Sequence, residues 1–463
     1  MKKLAALVAL ALLASLTSVA TATGAPAKPK PPVGDAFPYC SWWTVTTPET
    51  MNVAFPDTSA IYWTTPYLAQ PGMSIEVSGT FPETRFMAFT AYSNTFGTFQ
   101  SADGVPSQIT DYQIVANPGT PEPNPWAQDS APGTPPGGTF SVTLSPNATT
   151  GQTNTIPILP PGQTANGELP ANLGFLVMRV YLAKGGQPSD VALPTLTLVD
   201  SQGARVTLPK CSDKSMAAIK KLKDAAKVLA LLKAIASGKQ PPPPPPCSTA
   251  PTGCPPEYSF FRASAAQTNS FFPNDANAYA SMLFTPVKGE VVVIRLKPPT
   301  SPWNVDGGTT PVPWPTTDYQ MRYWSVCNNV YAPPYPVVAN PGRKGQTVYG
   351  CVADNAAVRD SDGIVTIVIS ATVDRPRNAT AANGFNWLPT SMSKPRAMEM
   401  VALRNMLPSA GFNNAVQNVP SGSDAAATQA AMGLYYPDTA VCTVPQFEAG
   451  DLTKCFIPAA SGT

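Results

Sequence analysis

The chain has 463 residues, of which 43% are apolar, 13% are charged and 55 are proline, with a net charge of +2. It contains no histidine, which excludes Ser-His and Cys-His nucleophiles, HExxH zinc sites and imidazole pH switches. The small net charge gives no general attraction to nucleic acid or anionic membranes, and the proline load favours short strands and loops over long helices.

Residues 1–22 read as a secretory signal. Lys2 and Lys3 form the charged end, Leu4 to Leu16 is almost wholly apolar, and Ala20-Thr21-Ala22 supplies a small-residue cleavage pattern. The apolar run is too short to span a bilayer and no later stretch replaces it, so a secreted or periplasmic protein without a transmembrane segment is expected. Export makes disulfides of the eight cysteines. Proximity pairs Cys247 with Cys254, Cys327 with Cys351 and Cys442 with Cys455, and leaves Cys40 with Cys211 to close the first half. The lack of a CxxC pair and of histidine argues against a metal site, and no cofactor is expected.

The first domain is placed at 23–212. Met73, Ile75 and Val77 alternate with Ser74, Glu76 and Ser78, and Phe140, Val142 and Leu144 alternate with Ser141, Thr143 and Ser145, the period of half-buried strands. Residues 213–246 form a connector. Ile219, Leu222, Ala226, Leu229 and Leu232 recur at helical spacing, lysines decorate the other faces, and Pro241 to Pro246 is an unbroken run expected in polyproline II. Such a basic amphipathic helix either lies against a β domain with its lysines in water or docks an envelope partner. The second domain, 247–463, has more continuous apolar strands at Val291 to Leu296 and Ile364 to Ile369, as in strands buried on both faces.

The two halves repeat each other. Phe55-Pro56 and Phe272-Pro273, Tyr62 and Tyr279, and Gly72 and Gly289 are each 217 residues apart. Gly138 to Ser145 matches Gly363 to Ser370, and Arg179 matches Arg404, at a spacing of 225. Between these, Met87-Ala88-Phe89 and Asn94 are set against Met321-Arg322-Tyr323 and Asn328 at 234, which implies an insertion in the Trp- and Pro-rich stretch from Trp303 to Trp314. Leu159-Pro160 is set against Leu388-Pro389. The expected fold is mainly β: two tandem β-sandwich or jelly-roll-like domains joined by one amphipathic helix and a polyproline linker.

In the second half, Asp362-Gly363-Ile364-Val365-Thr366-Ile367 precedes Asn386-Trp387-Leu388-Pro389 and then Leu403-Arg404-Asn405-Met406-Leu407-Pro408. This order resembles the C-terminal signature of the bacterial domain-of-unknown-function family twelve-fourteen, and Ile158-Leu159-Pro160 with Met178-Arg179-Val180-Tyr181 is a weaker copy. It departs from that pattern at Asn405-Met406 and at Pro389-Thr390-Ser391. The resemblance implies a jelly-roll-like domain of exported bacterial proteins and brings no catalytic residues with it.

The candidate ligand-binding residues are Arg179, Arg404, Tyr62, Trp63, Trp303 and Trp314. Each arginine sits within an apolar strand, where it either bonds loop carbonyls or a carboxylate beneath the sheet, or meets an anion or sugar hydroxyl at a cleft. The aromatic residues either pack the core or stack on a glycan or a small apolar ligand. Ser391-Met392-Ser393-Lys394 fits S-x-x-K but is bracketed by prolines, and Asp360-Ser361-Asp362-Gly363 reads as a hairpin turn. The expected function is that of a secreted, non-catalytic binding or surface-associated structural protein. Its rivals are a carboxylate-dependent hydrolase or lyase, with two acids facing each other in a cleft, and an envelope partner protein docking through the helix at 213–237.

Overall fold

The computed structural model describes residues 40–120, 123–131, 133–160, 162–166, 169–219, 223–236, 257–263, 272–450, 452 and 455. The signal segment, the polyproline run and the Cys247–Cys254 pair therefore lie outside the described residues. The first half contributes β1 (Thr44–Thr46), β2 (Ala60–Leu68), β3 (Ser74–Thr80), β4 (Thr84–Tyr92), β5 (Gln108–Thr110), β6 (Thr139–Ser145), β7 (Thr155–Pro157), β8 (Leu173–Ala183), β9 (Thr195–Val199) and β10 (Arg205–Thr207). The connector holds α1 (Asp213–Ile219) and α2 (Lys223–Ala236). The second half contributes β11 (Asn277–Phe284), β12 (Glu290–Leu296), β13 (Met321–Val330), β14 (Ala339–Pro341), β15 (Thr347–Tyr349), β16 (Cys351–Ala353), β17 (Val365–Ser370), β18 (Phe385–Pro389) and β19 (Glu399–Pro408). It ends with α3 (Ala425–Met432), β20 (Asp438–Thr443) and α4 (Val444–Glu448).

In the first half, sheet β1-β2-β8-β4-β5 faces sheet β10-β9-β3-β6-β7. The alternation along β3 and β6 aims Ile75, Val77, Phe140, Val142 and Leu144 into the core between them, where they meet Met87, Phe89, Leu176 and Met178. In the second half, sheet β11-β19-β13-β16 faces sheet β18-β17-β12-β20 in the same order, with β18 parallel to β17 as β7 is parallel to β6. The fold is thus mainly β, with two sandwiches of matching strand order.

Strand registers sharpen the sequence matching. Arg179 lies opposite Tyr62 and Ala88, and Arg404 lies opposite Tyr279 and Ser325. The pairs at 217 and 225 residues therefore hold, but Ala88 corresponds to Ser325. Arg85-Phe86-Met87 is then equivalent to Arg322-Tyr323-Trp324, three residues from the sequence match. Likewise Pro157, opposite Ser145, answers to Pro389, opposite Ser370, and Leu159-Pro160 does not. Local residue identity had outweighed register here, because one missing residue in a strand match reverses every side chain.

Strands β4, β8, β13 and β19 are buried along almost their whole length. Their inner faces pack the two sandwich cores, and their outer faces meet each other through Ala60, Phe86, Ala88, Tyr181, Ala276, Tyr323, Ala353 and Met406. The four larger sheets among the described residues therefore form one stack, beside the small β14-β15 ribbon. Strands β12 and β17 are buried on both faces for another reason: Phe447 of α4 and Cys455 cover the outer side of their sheet, where Val291, Val293 and Val368 lie beside Ala440 and Cys442 of the neighbouring β20. The corresponding face of the first sandwich stays in water, where Glu76 on β3 forks onto Arg205.

Disulfides join Cys327 to Cys351 and Cys442 to Cys455, as proximity predicted, and Cys40 to Cys211, the pair left to close the first half. No helix among the described residues is long and apolar enough to cross a membrane. Helix α2 lays Val228 and Leu231 into a cluster with Trp43, Val53, Tyr92, Leu173 and Phe175, so this apolar face is covered by the first sandwich. Val228 and Leu231 are not in the stripe read from the sequence, of which Leu229 is buried as well.

Candidate functional site

The densest concentration of charged and aromatic side chains lies between the two sandwiches. Arg85 on β4 reaches across to Asp354 after β16, with Nη1 2.8 Å from Oδ2. Arg322 on β13 reaches back to Asp111 after β5, donating Nη1 to Oδ1 at 2.7 Å and Nη2 to Oδ2 at 2.8 Å. All four side chains are fully buried. Each arginine also donates to the other's carbonyl, Arg85 Nη1 to Arg322 O at 2.7 Å and Arg322 Nε to Arg85 O at 3.0 Å. Arg85 and Arg322 are register equivalents, as are Asp111 and Asp354, so the contact is reciprocal in the way of a two-fold dimer interface.

The same reciprocity holds at the Phe-Pro segments. Phe55 and Phe272 both adopt left-handed backbone, at φ 56° and 55°, as do their partners Tyr335 and Phe96, at φ 60° and 66°. Phe55 N donates to Tyr335 O at 2.8 Å, and Phe272 N donates to Phe96 O at 3.0 Å. Four bulky residues in that region each cost roughly 1–2 kcal/mol, which only dense packing across the interface can sustain.

The Trp- and Pro-rich insertion seals this junction. Pro302 O and Gly308 O accept from Arg85 at 3.2 and 2.6 Å, and Trp314 N donates to Trp126 O at 2.8 Å. Gly308, at φ +79°, would place a Cβ 2.1 Å from Arg85 Nη2, so a side chain there would displace the guanidinium.

Arg404 is bonded to Asp57 through Nη1 and to Ser325 Oγ at 2.8 Å. Asp57 Oδ2 also accepts from Tyr323 OH at 2.9 Å and from Ser325 Oγ at 2.7 Å. Burial pulls the Arg404 guanidinium down, but Asp57 beside it, with neighbouring tyrosines, raises it on balance. At Asp111 burial pushes the carboxyl up against the opposing pull of Arg322. The carboxylate of Asp57 also lies near Cys327 and Cys351, but sulfurs joined in a disulfide are not metal ligands.

Arg179 and Arg404 are thus both buried at this junction, stacked over Tyr62 and Tyr279 at 5.0 and 5.1 Å from the ring centroids. Tyr62 is half-buried, while Trp63 and Trp314 are 4% and 2% exposed. Of the two alternatives for these aromatic residues, core packing is the one the structure places: they fill the cores and the interface. Trp303, 38% exposed, is the exception, and Arg359 stacks on it at 4.1 Å. Arg85, Arg322, Asp111 and Asp354 were missed in the sequence, although an arginine followed by an aromatic residue in each copy carried the signal.

A separate open cleft of about 470 Å³ lies on the second sandwich, lined in part by Tyr258, Phe284, Glu290, Asp374 and Arg396. Three strongly exposed apolar residues, Val287, Val373 and Met392, are at its walls. Asp374 Oδ2 accepts from Gly289 N at 3.0 Å. Ser391 borders the cleft, but its hydroxyl lies 3.1 Å from Ser393 Oγ while Lys394 Nζ donates to Pro333 O at 3.0 Å, so the lysine of the S-x-x-K pattern does not activate it. Asp360 Oδ1 accepts from Asp362 N and Ile364 N at 3.0 and 2.8 Å, the geometry of a turn.

These features define a two-sandwich β protein whose halves share one buried junction. No family model matches the chain, and no curated relative matches it. Among solved structures, an uncharacterised protein from Burkholderia cenocepacia is similar at 14% identity and a TM-score of 0.47, covering 88% of this chain and 82% of that one. The VPA0106 protein from Vibrio parahaemolyticus is similar at 11% identity and a TM-score of 0.39, covering 85% and 92%.

Proposed function

We propose that the chain is an exported, non-catalytic binding or surface-associated structural protein, in line with its resemblance to family twelve-fourteen. The observation that carries this reading is the fate of the interface carboxylates. Asp57, Asp111 and Asp354 are each bonded to an arginine, which makes them scaffolding and leaves none of them as a free acid or base. The surface offered to a ligand is the cleft on the second sandwich, whose exposed Val287, Val373 and Met392 suit a small apolar molecule or the apolar face of a sugar. Three disulfides among the described residues agree with an oxidising compartment.

Glu290 and Asp374 in the same cleft keep the hydrolase reading open to test, since two carboxylates suffice for glycoside hydrolysis. The deciding experiment screens glycans and lipids for both binding and cleavage with the mature chain, alongside Val373→Asp, Glu290→Gln and Asp374→Asn. Binding abolished by Val373→Asp, with no substrate cleaved, is the expected outcome. Cleavage lost in either carboxylate variant with the fold intact would overturn the non-catalytic reading.

A further inference from the structure

The reciprocal junction is broken at one point. By the spacing of 217 residues that relates Phe55 to Phe272, Asn274 stands where Asp57 stands in the first copy. The surroundings agree. Asp57 Oδ1 accepts from Ser59 N at 2.9 Å, and Asn274 Oδ1 accepts from Ala276 N at 3.2 Å. Arg404 Nη2 donates to Phe55 O at 3.4 Å, and Arg179 Nη2 donates to Phe272 O at 3.0 Å. The second oxygen of Asp57, which receives Arg404, Ser325 and Tyr323, has the Asn274 amide nitrogen as its counterpart.

Both hydroxyls are lost as well. Ser325 answers to Ala88 and Tyr323 to Phe86. The site thereby loses three polar oxygens and gains an N–H donor, and the hydroxyl it offers Arg179 in their stead is that of Tyr92, which accepts from Nη2 at 3.2 Å and donates to Pro273 O at 2.6 Å. Asn274 Nδ2 and Arg179 Nη1 and Nε are buried without a hydrogen-bond partner, on side chains 5% and 3% exposed. Reversing the amide does not help, because Ala276 N–H would then face an NH₂ group. Arg179 keeps its charge at any ordinary pH. The exposed Asp275 is within electrostatic reach of it, but accepts from Thr98 Oγ1 at 3.4 Å.

We propose that Arg179 and Asn274 form a buried site for a small monovalent anion of chloride size, held between the two sandwiches in the place that the Asp57 carboxylate oxygen takes in the other half. A buried cation beside an orphaned donor asks for an acceptor that carries charge, and a monatomic anion is the acceptor that replaces a single carboxylate oxygen.

Bromide is the probe. Thermal unfolding of the mature chain would be followed as bromide replaces gluconate at constant ionic strength, and crystals grown in bromide would be examined for anomalous scattering. The expected result is a rise of about 1–2 °C per tenfold increase in bromide above its Kd, with an anomalous peak within hydrogen-bond distance of Arg179 Nη1 and Asn274 Nδ2. Asn274→Asp, which restores the carboxylate, is expected to unfold no lower than the parent and to lose the bromide dependence. A neutral water at the site, a peak without any dependence in solution, or an equal bromide effect in Asn274→Asp would each overturn the proposal. If Asn274→Asp does not fold, the diffraction and parent titration decide alone.

Discussion

Glu399, at the start of β19, shows how one buried acid sets a pH dependence. It is fully buried, accepting from Ser391 N at 2.7 Å and Asn328 Nδ2 at 2.5 Å. Burial outweighs those two bonds and raises its pKa from 4.5 to about 7. A carboxyl that holds its proton more tightly when folded contributes fully below pH 4.5, and that contribution is lost as the pH rises through about 7. Glu399→Gln is therefore expected to flatten stability between those limits by on the order of 3 kcal/mol, measured as denaturant midpoints across pH. An unchanged slope would place the titration elsewhere. Nothing in the sequence marked this glutamate, because its burial depends on β13, whose Asn328 lies 71 residues away in the chain, as well as on the adjoining loop at 390–398.

At the scale of elements, α2 is held by a few contacts. Val228 and Leu231 are its anchors in the cluster with Trp43, Tyr92 and Phe175, while Lys233 points to water. Leu231→Asp is expected to cost about 2–4 kcal/mol of local stability, by burying an unpaired charge or releasing the helix. Limited proteolysis should then cut within 213–236 while both sandwiches stay intact; protection equal to the parent would mean that α2 does not depend on that contact. The helical spacing and the strand alternation of β3 and β6 were legible because each reports a local period against one buried face. The all-apolar runs were legible as doubly buried strands, but the covering partner was not: for β12 and β17 it is α4 with the Cys442–Cys455 disulfide, and for the other sheet of each half it is the other sandwich.

For the molecule as a whole, the junction couples the halves. Buried ion pairs return little net stability relative to apolar replacements, yet removing one partner costs roughly 3–5 kcal/mol because a charge is left stranded. Arg322→Glu sets two acids against each other at Asp111 and strips the reciprocal bonds to Arg85 O. We expect calorimetry to resolve one unfolding transition for the parent and two for this variant, as each sandwich retains its own core. A single transition in the variant would show that the ion pairs do not hold the halves together. Arg179 and Arg404 stood out in the sequence as charges in apolar strands, and the structural alternative weighed for them, bonds to loop carbonyls or a carboxylate, is what Arg404 makes with Phe55 and Asp57.

The amino-acid sequence by itself determined what depends on neighbours along the chain: strand and helix periods, the repeat, and three disulfide pairings closed by proximity or by elimination. The tertiary structure alone decided which arginine meets which aspartate, and that Asp57 has an asparagine for its counterpart. Those contacts join residues more than two hundred positions apart, through a register set by how two copies pack face to face. Since no local pattern encodes that packing, only the folded chain displays it.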